Sequence, residues 1–260
     1  MEHVTSADGT TIVYQQSGTG QPLILVDGAL CHRTFGPMGA LAPFLADQFT
    51  VTIYDRRGRG DSGDTAPYAV EREIDDLSAL IRQAGGSAFV YGISSGAALA
   101  VAAASRLPSI QKLAVYEPPF MLTEVDRQQA AAYTQDLTEL LAEGRRGDAV
   151  ARFMTRVGMP DEAVSGMRQA PMWPGLEAVA PTLAYDDAVL GDSSVPTARA
   201  ASIRIPTLVM DGSASPPFMR DAARALADAI PSAVYRTLEG QTHEVSPEAL
   251  APALKAFFRA

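Results

Sequence analysis

The chain has 260 residues, 47% hydrophobic and 20% charged, enough to bury a sizeable core in a single α/β domain and too apolar for a disordered or fibrous chain. Thirty acidic residues against 21 basic ones leave a net charge of −9, which disfavours nucleic acid or an anionic membrane as partner, because either calls for a cationic face. The single Cys31 excludes an internal disulfide, and one cysteine with three histidines speaks against a structural zinc site.

The N-terminus, Met1-Glu2-His3-Val4-Thr5-Ser6, has neither the basic nor the apolar stretch of a secretion signal, and the longest run of small apolar residues, 97–104, is far short of a membrane span; a cytoplasmic protein is expected. Residues 11–16 follow the turn Ala7-Asp8-Gly9, and residues 23–26 follow Ser17-Gly18-Thr19-Gly20, which reads as a hairpin entry to a sheet. Apolar strands then alternate with helix-length segments: strands at 49–54, 88–91 and 112–116, helices at 70–84 and about 95–106. That rhythm predicts a mostly parallel sheet covered by helices. In the 70–84 helix Val70, Ile74, Leu77, Ile81 and Ala84 share one stripe, opposite Glu71, Arg72, Asp75 and Asp76, and Gly85-Gly86 stops it. Residues 118–200 break the rhythm with helical segments punctuated by prolines. The strands resume at 207–211 and 233–238, with helices at about 218–229 and at the C-terminus, so 1–117 and 201–260 are expected to form one core into which 118–200 are inserted.

Between the 88–91 strand and its helix lies Gly92-Ile93-Ser94-Ser95-Gly96, a G-x-S-x-G nucleophile elbow. So sharp a strand-to-helix turn needs glycine two residues before and two after the serine, because a Cβ at either place would clash, and it raises the Ser94 hydroxyl above the sheet at a helix N-terminus. A serine hydroxyl needs a base to remove its proton. In the Ser, acid, His order of such elbows His3 and His32 come too early, leaving His243, in the loop after the last predicted strand.

With these residues the chain resembles the α/β-hydrolase superfamily, from about Val4 to the C-terminus. Arg57-Gly58-Arg59-Gly60-Asp61-Ser62 looks like the family's R-G-x-G-x-S turn, and Asp27-Gly28 stands where such enzymes usually have His-Gly. The resemblance implies an eight-stranded, mostly parallel sheet, a helical lid at 118–200, and an oxyanion hole made by the N–H groups of Ser95 and of Gly28, with Ala29 the alternative to Gly28. The usual acid after the seventh strand, in G-x-x-D, is missing: Gly212-Ser213-Ala214-Ser215 puts serine there. Glu117, at the end of the sixth strand and followed by Pro118-Pro119, is the preferred substitute, as in zearalenone-type lactone hydrolases; Asp211, the lid residue Asp186 and an acid-free dyad are the alternatives. Arg56, Arg57 and Arg59 read as a solvated turn, and Cys31 as a small packing residue. The lid methionines (Met121, Met154, Met159, Met167, Met172) and Trp173 suggest an apolar, adaptable pocket.

The expected activity is that of a cofactor-independent, metal-free serine hydrolase cleaving an ester or lactone of a mainly apolar small molecule, with Ser94, Glu117 and His243 as triad. The same machinery also serves C–C hydrolases and perhydrolases, and the altered 212–215 segment leaves room for a non-hydrolytic ligand-binding member of the fold.

Overall fold

A computed structural model describes all residues, 1–260. The strands are β1 (Glu2–Thr5), β2 (Thr11–Ser17), β3 (Gln21–Val26), β4 (Phe49–Tyr54), β5 (Ala88–Ile93), β6 (Ile110–Tyr116), β7 (Thr207–Gly212) and β8 (Ala233–Leu238). They form one sheet in the order β1-β2-β4-β3-β5-β6-β7-β8, parallel from β4 to β8, with β1 and β2 antiparallel at one edge. The hairpin expected between residues 11–16 and 23–26 does not form. β2 pairs with β4 instead, Tyr14 facing Tyr54, and the N-terminal hairpin is β1 with β2.

Helices α1 (Pro37–Leu45), α2 (Val70–Gln83), α3 (Ser95–Ala104), α10 (Pro217–Ala229) and α11 (Pro247–Arg259) flank the sheet. Because side chains alternate across a strand, each central strand feeds two cores. Ile24, Val26, Val90, Leu113, Val115 and Val209 pack with α2, α3 and α10, whereas Leu23, Leu25, Tyr91, Ala114, Leu208 and Met210 pack with α1 and α11. The alanines of α3 up to Ala103 are all buried and let that helix lie close over the sheet centre.

Between β6 and β7 run α4 (Glu124–Ala142), α5 (Arg146–Arg156), α6 (Asp161–Met167), α7 (Trp173–Val179), a short 3-10 turn (Ala180–Thr182), α8 (Leu183–Leu190) and α9 (Thr197–Ala200). This segment has its own small core around Tyr133, Leu137, Trp173 and Leu176. No helix in the chain is long and apolar enough to cross a membrane.

Candidate active site

The turn from β5 into α3 carries Ser94, at φ 55° and ψ −129°. A residue with a side chain held there costs roughly 1–3 kcal/mol, so the surrounding packing must impose it. That packing is visible at the two flanking glycines: a Cβ on Gly92 would run into the Gly96 carbonyl, and one on Gly96 into the carbonyls of Val26 and Asp27. The Ser94 N–H donates to the Tyr116 carbonyl at 3.0 Å, tying the turn to β6.

Directly after β6, Glu117 also takes a positive φ, 44°. Its carboxylate is fully buried. Oε1 accepts the Gly212 N–H at 2.8 Å, and Oε2 lies 2.8 Å from Nδ1 of His243. The loop bearing His243 is held in turn by the Tyr116 hydroxyl, which donates to the Thr242 carbonyl at 2.7 Å. His243 is half-buried and, with Ser94, faces one cavity; the two are not hydrogen-bonded to each other. The other histidines lie elsewhere: His3 in the edge strand β1, and His32 beside Thr34 and Phe35.

The alternative acids are otherwise engaged. Asp211 accepts from the Tyr235 hydroxyl at 2.7 Å, with Arg220 Nε at 3.4 Å, while its pleat neighbour Gly212 serves Glu117. Asp186, on α8, accepts from Arg56, Arg59 and the Ser95 hydroxyl, each at 2.7 Å. Burial opposes the Asp186 charge, but Arg59 and Arg56 outweigh it and hold the carboxyl below its ordinary range.

Two expectations need correction. The Gly28 N–H, expected in the oxyanion hole, donates at 3.1 Å to the side chain of Asp27. The Ala29 N–H has no acceptor in the protein, and Ala29 borders the same cavity as Ser94 and Ser95. The solvated arginine turn is not solvated: Arg56, Arg57 and Arg59 are completely buried. Arg56 pairs with Glu73 and Asp186, Arg57 with Asp8 and Asp76, and Arg59 with Asp186. Nothing local in the sequence marks these pairings, because Arg56 and Asp186 are 130 positions apart.

A profile of the alpha/beta hydrolase family matches residues 18–253. The chain belongs to that family. An alpha/beta hydrolase from Sphaerobacter thermophilus is 57% identical to it, with 99% of this chain and 100% of that one covered and a TM-score of 0.88. The enol-lactonase from Burkholderia xenovorans shares the fold at 21% identity and a TM-score of 0.70, both chains being covered completely (100% each). The uncharacterized hydrolase YraK of Bacillus subtilis is 30% identical over 136 residues, which is 50% of this chain and 49% of YraK. The chain thus aligns with about half the length of that curated relative.

The cavity of this alpha/beta hydrolase measures about 510 Å³ and is walled by Ser94, His243 and the α4, α5 and α8 helices. Tyr133, Phe153, Met121, Met159, Phe218 and Met219 make most of its apolar lining, with Arg156, Asp187 and Glu244 as charged neighbours. Of the methionines and tryptophan expected to shape the pocket, Met121 and Met159 do so. Met154 and Met167 pack on the helical segment's core, Met172 is exposed, and Trp173 is buried in that core with its indole N–H on Glu177. Cys31 is half-buried, and burial together with the nearby Asp27 pushes its thiol pKa up, away from a reactive thiolate.

Asp27 has a measurable consequence. Burial pushes its pKa up to about 7, against the pull of the Gly28 N–H and Arg59. Between about pH 4 and pH 7 the folded chain therefore keeps a proton that the unfolded chain releases, and stability falls as pH rises through that window. Asp27→Asn keeps an acceptor for Gly28 and removes the titration. Its midpoint of thermal unfolding is expected to gain on the wild type from pH 5 to about pH 7 and to level off above that; parallel pH profiles of the two proteins would contradict this.

Proposed function

We propose that this alpha/beta hydrolase is a serine hydrolase that cleaves an ester or lactone of a mainly apolar small molecule, without cofactor or metal. The observation that carries the reading is the 2.8 Å contact of the buried Glu117 carboxylate with His243 Nδ1, on the wall of the cavity that Ser94 also faces. In this mechanism His243 Nε2 takes the Ser94 proton as Oγ adds to the substrate carbonyl carbon. The Glu117 carboxylate keeps the Nδ1–H tautomer and offsets the imidazolium charge. The N–H of Ser95, one of the first-turn groups of α3 that lack an intrahelical acceptor, binds the oxyanion together with that of Ala29. Collapse expels the alcohol, protonated by His243, and water then enters by the same route to release the acid. In a lactone, the leaving alcohol stays attached to the acyl group until hydrolysis.

The deciding experiment is labelling with a fluorophosphonate, followed by hydrolysis of p-nitrophenyl esters and of simple lactones of different ring size. Labelling mapped to Ser94 and turnover of either substrate class support the reading. A chain that takes no label and hydrolyses neither is not a serine hydrolase.

The cavity lining predicts substrate preference. Phe153→Ala removes apolar wall that a bulky acyl group touches and an acetyl group does not, so kcat/KM for a long or aromatic ester is expected to fall about tenfold more than for the acetate. Trp173→Ala instead empties the helical segment's core, with a stability loss of about 3–5 kcal/mol and no change in preference. Kinetics on the two esters, alongside chemical denaturation, separate the two effects.

A further inference from the structure

Burying a guanidinium strips its water and is tolerated only where charge and hydrogen bonds replace that water. Arg59 achieves this with an uneven set of partners. Nη2 donates to Asp186 at 2.7 Å, Nε to the Thr182 hydroxyl at 3.1 Å, and Nη1 to the Gly28 carbonyl at 2.6 Å, with the Cys31 carbonyl at 3.4 Å. Arg56 takes both oxygens of Glu73, shares Asp186, and reaches the Asp27 carbonyl at 3.3 Å. Both cations thus end on the backbone of the loop that passes Ser94, and the one carboxylate they share also accepts the Ser95 hydroxyl at 2.7 Å.

The Gly28 carbonyl and the Ala29 N–H belong to one planar peptide group and point in opposite directions. Whatever holds the carbonyl therefore aims the N–H. The bond from Arg59 is charge-assisted and short, so the plane cannot turn without breaking it, and it polarises the amide so that the Ala29 N–H becomes the stronger donor. The second oxyanion donor, Ser95, is held by its own hydroxyl on Asp186.

We propose that Arg59 and Asp186 are positioning residues for the oxyanion hole, Arg59 setting the plane of the Gly28–Ala29 peptide and Asp186, from α8, tying Arg59 and Ser95 into one frame. This rests on the serine-hydrolase reading above. It also makes the helical segment between β6 and β7 part of the catalytic geometry, because Asp186 comes from that segment.

The test uses the full chain, p-nitrophenyl butyrate as substrate, and two inhibitors. Phenethyl trifluoromethyl ketone accepts Ser94 Oγ at its carbonyl carbon, the hydroxyl proton passing to His243, and the adduct bears an oxyanion. Phenethyl methyl ketone fills the same space with little addition. The ratio of their inhibition constants therefore reads the stability of the oxyanion adduct, with the binding of the phenethyl group cancelled; Arg59 and Asp186 touch neither Ser94 Oγ nor His243, so a change in it at these positions reports on the oxyanion donors. Arg59→Lys keeps the charge but cannot span Gly28, Thr182 and Asp186 together; Asp186→Asn keeps the shape but loses the charge that holds both arginines. Each is expected to lower kcat by about 10- to 100-fold, with KM within about threefold, and to shrink the inhibitor ratio by a similar factor. A fall in kcat with the ratio unchanged, a change confined to KM, kinetics equal to wild type, or failure of both variants to fold would assign the network to anchoring α8 and overturn the proposal. Wild-type chain that neither takes a fluorophosphonate nor hydrolyses the butyrate fails the serine-hydrolase reading itself, and the positioning role falls with it.

Discussion

Replacing Ser94 with alanine is expected to lower the turnover of an ester such as p-nitrophenyl butyrate by about 10⁴-fold or more, the loss that follows deletion of one member of a nucleophile–base–acid unit. The turn should survive the change. Its shape comes from the close approach of Gly92 to Gly96 and of Gly96 to the carbonyls of Val26 and Asp27, and from the Ser94 N–H on Tyr116, none of which involves the hydroxyl. Circular dichroism and the unfolding midpoint should therefore match wild type, while steady-state kinetics show near-complete loss and fluorophosphonate labelling disappears. Full activity in the folded variant would eliminate Ser94 as nucleophile.

The second large effect concerns the acid. Glu117→Gln keeps the length of the side chain, but its amide can present an N–H to His243, favouring the wrong tautomer, and it withdraws the charge that offsets the imidazolium. A fall in kcat of about 10²- to 10⁴-fold is expected, with KM little changed. The variant should stay folded, because the amide oxygen can still accept the Gly212 N–H at the buried position. Asp211→Asn should leave kcat within about threefold of wild type, since this carboxylate serves Tyr235 and Arg220 rather than the histidine. Its cost should appear in denaturation. The opposite ranking of the two variants in kcat would transfer the acid role to Asp211, and two unaffected variants would make the enzyme a Ser94–His243 dyad.

Several features were legible in the sequence because short-range sterics dictate them. The 70–84 helix was readable from its apolar stripe and its glycine stop, and it runs over Val70–Gln83. The elbow was readable because the turn tolerates only glycine at two fixed offsets. Glu117 could be proposed because a carboxylate stood at a strand end on the side where the elbow opens. Helix α1 was not legible: it has no side-chain cap at Gly36, carries Pro43 inside, and is apolar enough to blur its periodicity. The partner of the first strands is not legible either, because turn residues show that the chain bends, not which strand it then meets.

The sequence by itself therefore determined the strand and helix alternation, the elbow at Ser94 and the histidine that follows the last strand, since each depends on residues a few positions apart or on chain order. Only the tertiary structure decided which carboxylate faces His243, which N–H beside Ser94 is left free, and where three buried arginines find their charges. Those outcomes turn on distances between groups such as Glu117 and His243, 126 positions apart, or Arg59 and Asp186, 127 apart. An arginine in a polar turn looks the same in sequence whether water or a buried carboxylate solvates it. The difference arises only when packing of the helical segment on the sheet removes the water and leaves Asp186 as the counter-charge.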